Sequence, residues 1–314
     1  IITLLHSLVH KLRVQIMTNT AIQNTIPDDN DFKVIRKLKS QIIEYSEDLR
    51  SDPDIKQALF IDTETTGLDS TVDEIIEIGI VPFLYSKATG GIIGCLEPFN
   101  SFQEPSQPLS EEITDITGIT NEMLKGQSIN KEAVKKIVLE SSFVVAHHAN
   151  FDRPFVEKII PSFCQIPWGC SLEDVPWRQC GLSGGQLLSL AYQSGFYYDA
   201  HRAITDCYAG IELLKIVRDK NGVNAFQHVL DRGRRPYFRL WAQFTPYELK
   251  NSLKKRKYLW NDGTDGRPKS WYTDKMYSEV ENEISFLNKE IYQRENDNVI
   301  IRKIEPSDRF TNRC

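Results

Sequence analysis

At 314 residues, 40% hydrophobic and 26% charged, the chain has the composition of a globular protein with room for one large domain and a smaller second one. A net charge of −5 calls for neither nucleic acid nor membrane as a global partner. The six cysteines, at 95, 164, 170, 180, 207 and 314, form no C-x-x-C pair, which argues against a zinc ribbon or disulfide framework and for reduced thiols in a cytoplasmic protein.

The opening Ile1–Val9 run is apolar, but it lacks a basic start and is too short to span a membrane. The first methionine, Met17, is a candidate translation start, and residues 18–31 read as a polar, flexible lead-in. Val34, Ile35, Leu38, Ile42 and Ile43 recur at helical spacing and predict a helix over 32–50, which Asp52-Pro53 ends. Residues 1–56 thus form an N-terminal extension. Ala58-Leu59-Phe60-Ile61 then reads as a buried strand running into Asp62-Thr63-Glu64 and a Thr65-Thr66-Gly67 turn.

Glu74–Val81 and Ile92–Leu96 predict two more strands, and the short spacing of the three suggests an antiparallel meander. Ser110-Glu111-Glu112-Ile113 has capping-box character, and Asn130 is placed to cap a helix through Leu139. Phe143–Ala146 is a further strand, followed by a helix through Phe155 to Ile160. Leu187–Ala191 marks another helix, and Ala203, Cys207, Ile211 and Leu214 one more. Strands first, then helices alternating with a strand, is an α/β layout with a mixed sheet.

Acidic residues fall at the ends of these elements. Asp62 and Glu64, two apart on a strand, share one face about 7 Å apart along the chain, where they repel unless a cation lies between them. Asp152 follows the strand at 143–146, and His201 and Asp206 stand five apart near a helix start. Four carboxylates and a histidine suit a two-metal phosphoryl-transfer site with oxygen-liganded Mg²⁺ or Mn²⁺ about 3.5–4 Å apart. A histidine with an ordinary pKa near 6.5 can take a proton from water near neutral pH.

Phe60–Leu68, Val145–Asp152 and His201–Asp206 resemble the three motifs of the DnaQ-like superfamily of 3′→5′ exonucleases, to which the proofreading epsilon subunits of bacterial DNA polymerase III belong. Thr117-Gly118-Ile119-Thr120 is similar to a stretch those proteins carry between the first two motifs, and the resemblance covers roughly 57–218. It implies an RNase H-like mixed five-stranded sheet flanked by helices, over an exonuclease domain at 57–220. It also implies roles. Asp62, Glu64 and Asp206 hold the metal that activates water, Asp62 bridges to a second metal, and Asp152 helps hold that one. His201 is the general base. Thr65, Gly67 and Leu68 grip the 3′ terminus, and Phe151 packs beside it or serves the core. His148 departs from the Asn of many members, and His147 reads as structural. The implied cofactors are two Mg²⁺, with Mn²⁺ able to substitute. The implied substrate is a single-stranded DNA 3′ end, released as nucleoside 5′-monophosphates, with a polymerase or other replication or repair protein as a candidate partner. The alternatives are an exoribonuclease of the RNase T or oligoribonuclease type and, in another class, a non-catalytic nucleic-acid-binding protein.

Beyond the resemblance, residues 232–275 hold twelve Lys and Arg against four Asp and Glu, net +8, leaving −13 for the remainder. Trp241, Phe244, Tyr247, Tyr258, Trp260, Trp271 and Tyr272 are interleaved with them. The expectation is a small basic α+β module at 232–295 in which most aromatics are core and Lys254-Lys255-Arg256-Lys257 is an exposed nucleic-acid patch. Asn261–Gly266 reads as a hairpin turn, a helix follows near 278–292, and 296–314 reads as a polar tail.

Overall fold

A computed structural model of the protein describes residues 33–39, 42–294, 299–311 and 313. The lead-in at 18–31, the start at Met17 and Cys314 lie outside the described residues. The first elements are β1 (Arg36–Lys37), α1 (Glu47–Ser51), β2 (Ile55–Thr65), β3 (Ile75–Ser86), β4 (Ile92–Cys95) and β5 (Phe99–Phe102). Three helices follow, α2 (Glu111–Thr117), α3 (Asn121–Leu124) and α4 (Lys131–Leu139), and then β6 (Val144–Ala146), α5 (Ala149–Ile159), β7 (Trp168–Cys170) and α6 (Ser171–Asp174). Next come α7 (Leu187–Gln193), β8 (Phe196–Tyr197), α8 (Ala203–Ile216) and α9 (Ala225–Gly233). The last part holds β9 (Tyr237–Ala242), α10 (Lys250–Lys255), β10 (Leu259–Asn261), β11 (Ser270–Met276), α11 (Tyr277–Phe286) and β12 (Ile300–Ile304).

The central sheet is mixed, in the order β4-β3-β2-β6-β7. β2, β3 and β4 form the expected antiparallel meander, while β6 and β7 add in parallel. A sixth strand, β5, shares the outer edge of β3 with β4. β2 shows why both faces are covered. Ala58 and Phe60 belong to one hydrophobic core and Leu59 and Ile61 to the other, all fully buried. The predicted caps form: Ser110 accepts from the Ile113 N–H and Asn130 from that of Ala133.

α8 lies against β2 and β3 on the Ala58–Phe60 face and approaches closely. Gly79 leaves no room for a side chain, since a Cβ there would lie 2.6 Å from the Ala203 carbonyl carbon. Gly210 is pressed as tightly onto the Phe60 ring.

The C-terminal module is a four-stranded antiparallel sheet, β10-β11-β9-β12. Its core gathers Ala242, Leu253, Tyr258, Leu287 and Ile291. The hairpin occurs as expected, with Trp260 opposite Trp271. Trp241 and Tyr258 are buried and Trp271 and Tyr272 half-buried, but Phe244, Tyr247 and Trp260 are exposed.

Two expectations are corrected. The helix over 32–50 does not form. Arg36 and Leu38 donate their N–H groups to Gly195 and Tyr197, and Ile43 donates to Cys95, so this stretch pairs with edge strands; the helix is confined to α1. Leu38 reaches the core as part of an extended chain, and Ile42 is exposed, so edge pairing overrides the helical spacing. Nor is 296–314 a loose tail. β12 pairs with β9 over Ile300–Ile304, and Arg309 is buried against Asp174 of α6. Backbone pairing and a charge partner distant in sequence hold this polar segment. Residues 35–314 make one compact unit. Among the described residues no helix is long and apolar enough to cross a membrane, and Cys95, Cys164, Cys170, Cys180 and Cys207 are free.

Candidate active site

Alternation along β2 points Asp62 and Glu64 to the face that α8 covers, just beyond the buried Phe60. Asp206 stands in the first turn of α8, so the two elements converge on one cleft. One carboxylate oxygen from each of Asp62, Glu64 and Asp206 lies within 4.8 Å of the others. Asp152, in the first turn of α5, arrives from the opposite face of the sheet. The Thr63 N–H and hydroxyl donate to its Oδ1 at 3.1 and 2.9 Å. It is buried beside the three-acid group without joining it.

These acids are held in a state that favours protons. Burial raises Asp62 well above the usual carboxylate range, with Asp152, Asp206 and Glu64 adding repulsion. Glu64 is pushed to about 8, first by burial and then by Asp206 and Glu77. Asp152 is pushed to about 7 by burial, against the hydrogen bonds from Thr63. Asp206 is raised by burial, opposed by the Tyr198 hydroxyl. A cluster of oxygen donors that repel one another is the donor set a hard divalent cation relieves.

His201 precedes α8 with a left-handed backbone, φ 65°, and an exposed side chain at the cleft. Its N–H and that of Arg202 donate to Asp206 Oδ2 at 2.9 and 3.2 Å, so the His201 turn and Asp206 are fixed to each other. On the other rim, the Thr65 hydroxyl donates to the Gly67 carbonyl at 2.5 Å. Gly67 has no space for a Cβ beside the Asp73 carboxylate, 2.5 Å away. Leu68 is 86% exposed. Phe151 packs on Phe155 at 5.1 Å between centroids and lies parallel to His148 at 6.3 Å, half in the core and half at the rim. His147 is structural, as expected: its ring nitrogens meet Ser171 and the Gly185 carbonyl, and burial lowers its pKa to about 4.

Two residues were missed by sequence reasoning. The Tyr198 hydroxyl donates to Asp206 Oδ1 at 2.8 Å, and nothing in Tyr197-Tyr198-Asp199 signals it. Glu77, fully buried on β3, is the strand partner of Glu64 and is bound by Arg202 at 3.2 and 3.1 Å and by Asn100 at 2.9 Å. It did leave a signal, as the one acid inside the apolar Ile75–Val81 run.

The exonuclease family model matches residues 59–214. DNA polymerase III PolC-type of Thermotoga maritima is 37% identical over 141 residues, 44% of this chain and 10% of that protein. The counterpart from Clostridium perfringens is 32% identical over 160 residues, 49% of this chain and 11% of that one. The match thus spans about a tenth of the length of these curated relatives. Among solved structures, Exonuclease X in complex with 5′-overhanging duplex DNA has a TM-score of 0.39 at 24% identity, covering 56% of this chain and 92% of that one. E. coli Exonuclease I in complex with an oligonucleotide has a TM-score of 0.41 at 18% identity, covering 60% and 48%. Residues 59–214 therefore belong to the exonuclease family, as the DnaQ-like resemblance of the three motifs implies, and the chain carries the domain of a hydrolytic nuclease.

Proposed function

We propose that the protein is a metal-dependent 3′→5′ exonuclease that removes nucleoside 5′-monophosphates from single-stranded DNA. The observation that carries this reading is the convergence of Asp62, Glu64 and Asp206 oxygens within 4.8 Å, with Asp152 on their far side and His201 at the mouth. The curated relatives are DNA polymerases by name, which favours DNA over RNA and a setting in replication or repair.

Asp62, Glu64 and Asp206 would hold one divalent cation, and Asp62 with Asp152 a second, Mg²⁺ or Mn²⁺. Bound there, the pair supplies Lewis acidity that offsets the negative charge developing on the phosphate. The residues do the rest. His201, free of helix packing, takes a proton from the attacking water. The water oxygen bonds to phosphorus as the bond to the 3′ oxygen of the preceding nucleotide breaks, and that oxygen leaves with a proton from solvent. The Tyr198 hydroxyl takes one lone pair of Asp206 Oδ1 and the two N–H groups at His201 and Arg202 take those of Oδ2, which leaves one Oδ1 lone pair for a cation. Thr65 and Gly67 shape the turn against the terminal nucleotide, Leu68 offers an apolar side chain to its base, and Phe151 backs the sugar.

The test is release of mononucleotides from 3′-labelled single-stranded DNA and RNA of one sequence, with Mg²⁺, with Mn²⁺ and with chelator. Metal-dependent release from DNA is expected. Release from RNA alone would make the protein an exoribonuclease, and release from neither would leave a binding protein.

A further inference from the structure

The C-terminal module is seated against the cleft. Arg309 pairs with Asp174 of α6 at 2.7 and 3.1 Å. The neighbouring Glu173 accepts from Asn150 at 2.6 Å, and Asn150 stands two residues before Asp152 on α5. Arg153 donates to the backbone carbonyls of Ser307 and Arg309, tying the last residues of the module to the same helix. Burial raises the Glu173 carboxyl, and Lys257 of the module is among the cations that counter it, so the basic run ends within electrostatic reach of this rim.

The module also holds an uncommon exposed surface. Phe244 is 92% exposed and Tyr247 74% exposed. Lys250 stands 3.8 Å above the Tyr247 ring centroid and bonds its hydroxyl. Lys254 follows one helical turn later on α10, and Lys254, Lys255 and Lys257 are all exposed. Glu248 is the acid among them. Arg256 is exposed beside them but pairs with Glu283 through its Nε and one Nη at 2.9 and 2.7 Å, so it has less freedom to meet a phosphate. A large exposed aromatic bracketed by cations lacks a fold-stabilising role, and a polynucleotide strand supplies the matching pair of features, a stackable base and phosphates at each step.

We infer that this face carries the single strand upstream of the 3′ end, with Tyr247 stacking on a base and Lys250, Lys254 and Lys257 contacting phosphates on the way to the rim at Asn150. The inference takes the direction of the strand from the exonuclease reading but not the binding itself. Three nucleotides at the cleft cannot also cover the module, whereas thirty can, so the surface gives a long strand its advantage over a short one.

The full-length chain is compared with Tyr247→Ala and with the combined Lys250→Gln, Lys254→Gln, Lys257→Gln variant. Fluorescence anisotropy with labelled dT30 and dT3 is read in excess EDTA over a salt series, beside kcat/KM on the same oligonucleotides in Mg²⁺. Tyr247→Ala is expected to cut the dT30-over-dT3 affinity ratio about tenfold, within the range for losing one stacked base. The triple variant is expected to lower the salt slope for dT30 by about two, since each lost phosphate contact on a single strand removes roughly 0.7. An unchanged ratio and slope, or an equal loss for both lengths, would overturn the inference. Absence of hydrolysis by the parent chain would sink the exonuclease reading instead, and leave the anisotropy result standing.

Discussion

Asp62, Glu64, Asp152 and Asp206 cannot all ionise in one cleft without a positive partner, and their burial and mutual repulsion raise their proton affinity. Glu64 is raised from 4.5 to about 8 and Asp152 from 3.8 to about 7. A folded-state pKa above the unfolded one adds stability at low pH that is lost as pH rises through the folded value. The buried His147, lowered to about 4, acts in the opposite sense until its unfolded form is neutral, and the buried Cys95 and Cys170 thiols, raised to about 11 and about 12, add their own loss as pH nears 9, so the acids dominate between about pH 7 and 8. In excess EDTA, Tm should therefore fall between about pH 7 and 8, while saturating Mg²⁺ should raise Tm by an amount that grows with pH. A flat EDTA profile by calorimetry would contradict the crowded-acid picture. The same residues differ in what their loss costs. Asp62→Ala should abolish metal-dependent release, whereas His201→Ala should lower kcat by about 10²–10⁴, the range for a general base. An unimpaired His201→Ala enzyme would remove that role. Asp62, Glu64 and Asp152 stood out in sequence as acids just after apolar runs, and His201 and Asp206 by their five-residue step in the third motif. Tyr198 did not, because its role lies in a hydrogen bond to a residue one helical turn into α8.

Elements matter here through how closely they approach. Asp206 reaches β2 because α8 lies flush on the sheet, and two glycines permit that contact. In Gly79→Ala the added Cβ would meet the Ala203 and Ile204 backbone at 2.6 and 2.7 Å, which no rotamer change relieves. Overpacking of this kind costs about 1–3 kcal/mol, so urea unfolding should show a loss of that size. Because the displaced turn carries Asp206, Mn²⁺ binding by calorimetry should weaken in the same variant, and unchanged stability and binding would show that α8 has room to move. The meander, α2, α4, α5, α7 and α8 followed from period and caps, since their apolar faces match the helices and strands they form. The helix over 32–50 failed because its apolar spacing could be met equally by an extended chain hydrogen-bonded to β8 and to Cys95.

At the scale of the molecule, the polar C-terminal segment closes the structure. Arg309 and Asp174 are almost fully buried, and Asp174 also accepts the Cys170 N–H at 2.9 Å. Arg309→Ala would leave that carboxylate buried without its cation, which typically costs about 3–5 kcal/mol. Urea denaturation of the whole chain should show a loss of this order, with Arg309→Lys recovering part of it. A variant as stable as the parent would mean that the segment is a loose tail after all.

By itself the sequence determined the chemistry: acids and a histidine at the ends of strongly patterned elements, and a basic, aromatic second module. These are local properties, carried by composition and period over a few residues. Only the tertiary structure decided that Asp152 comes from the far side of the sheet, that Glu77 and Arg202 pair behind Glu64, and that the last residues return to α5 and α6. Each of those joins residues from 89 to 156 positions apart, where burial and charge pairing choose the partner and no local pattern records the choice.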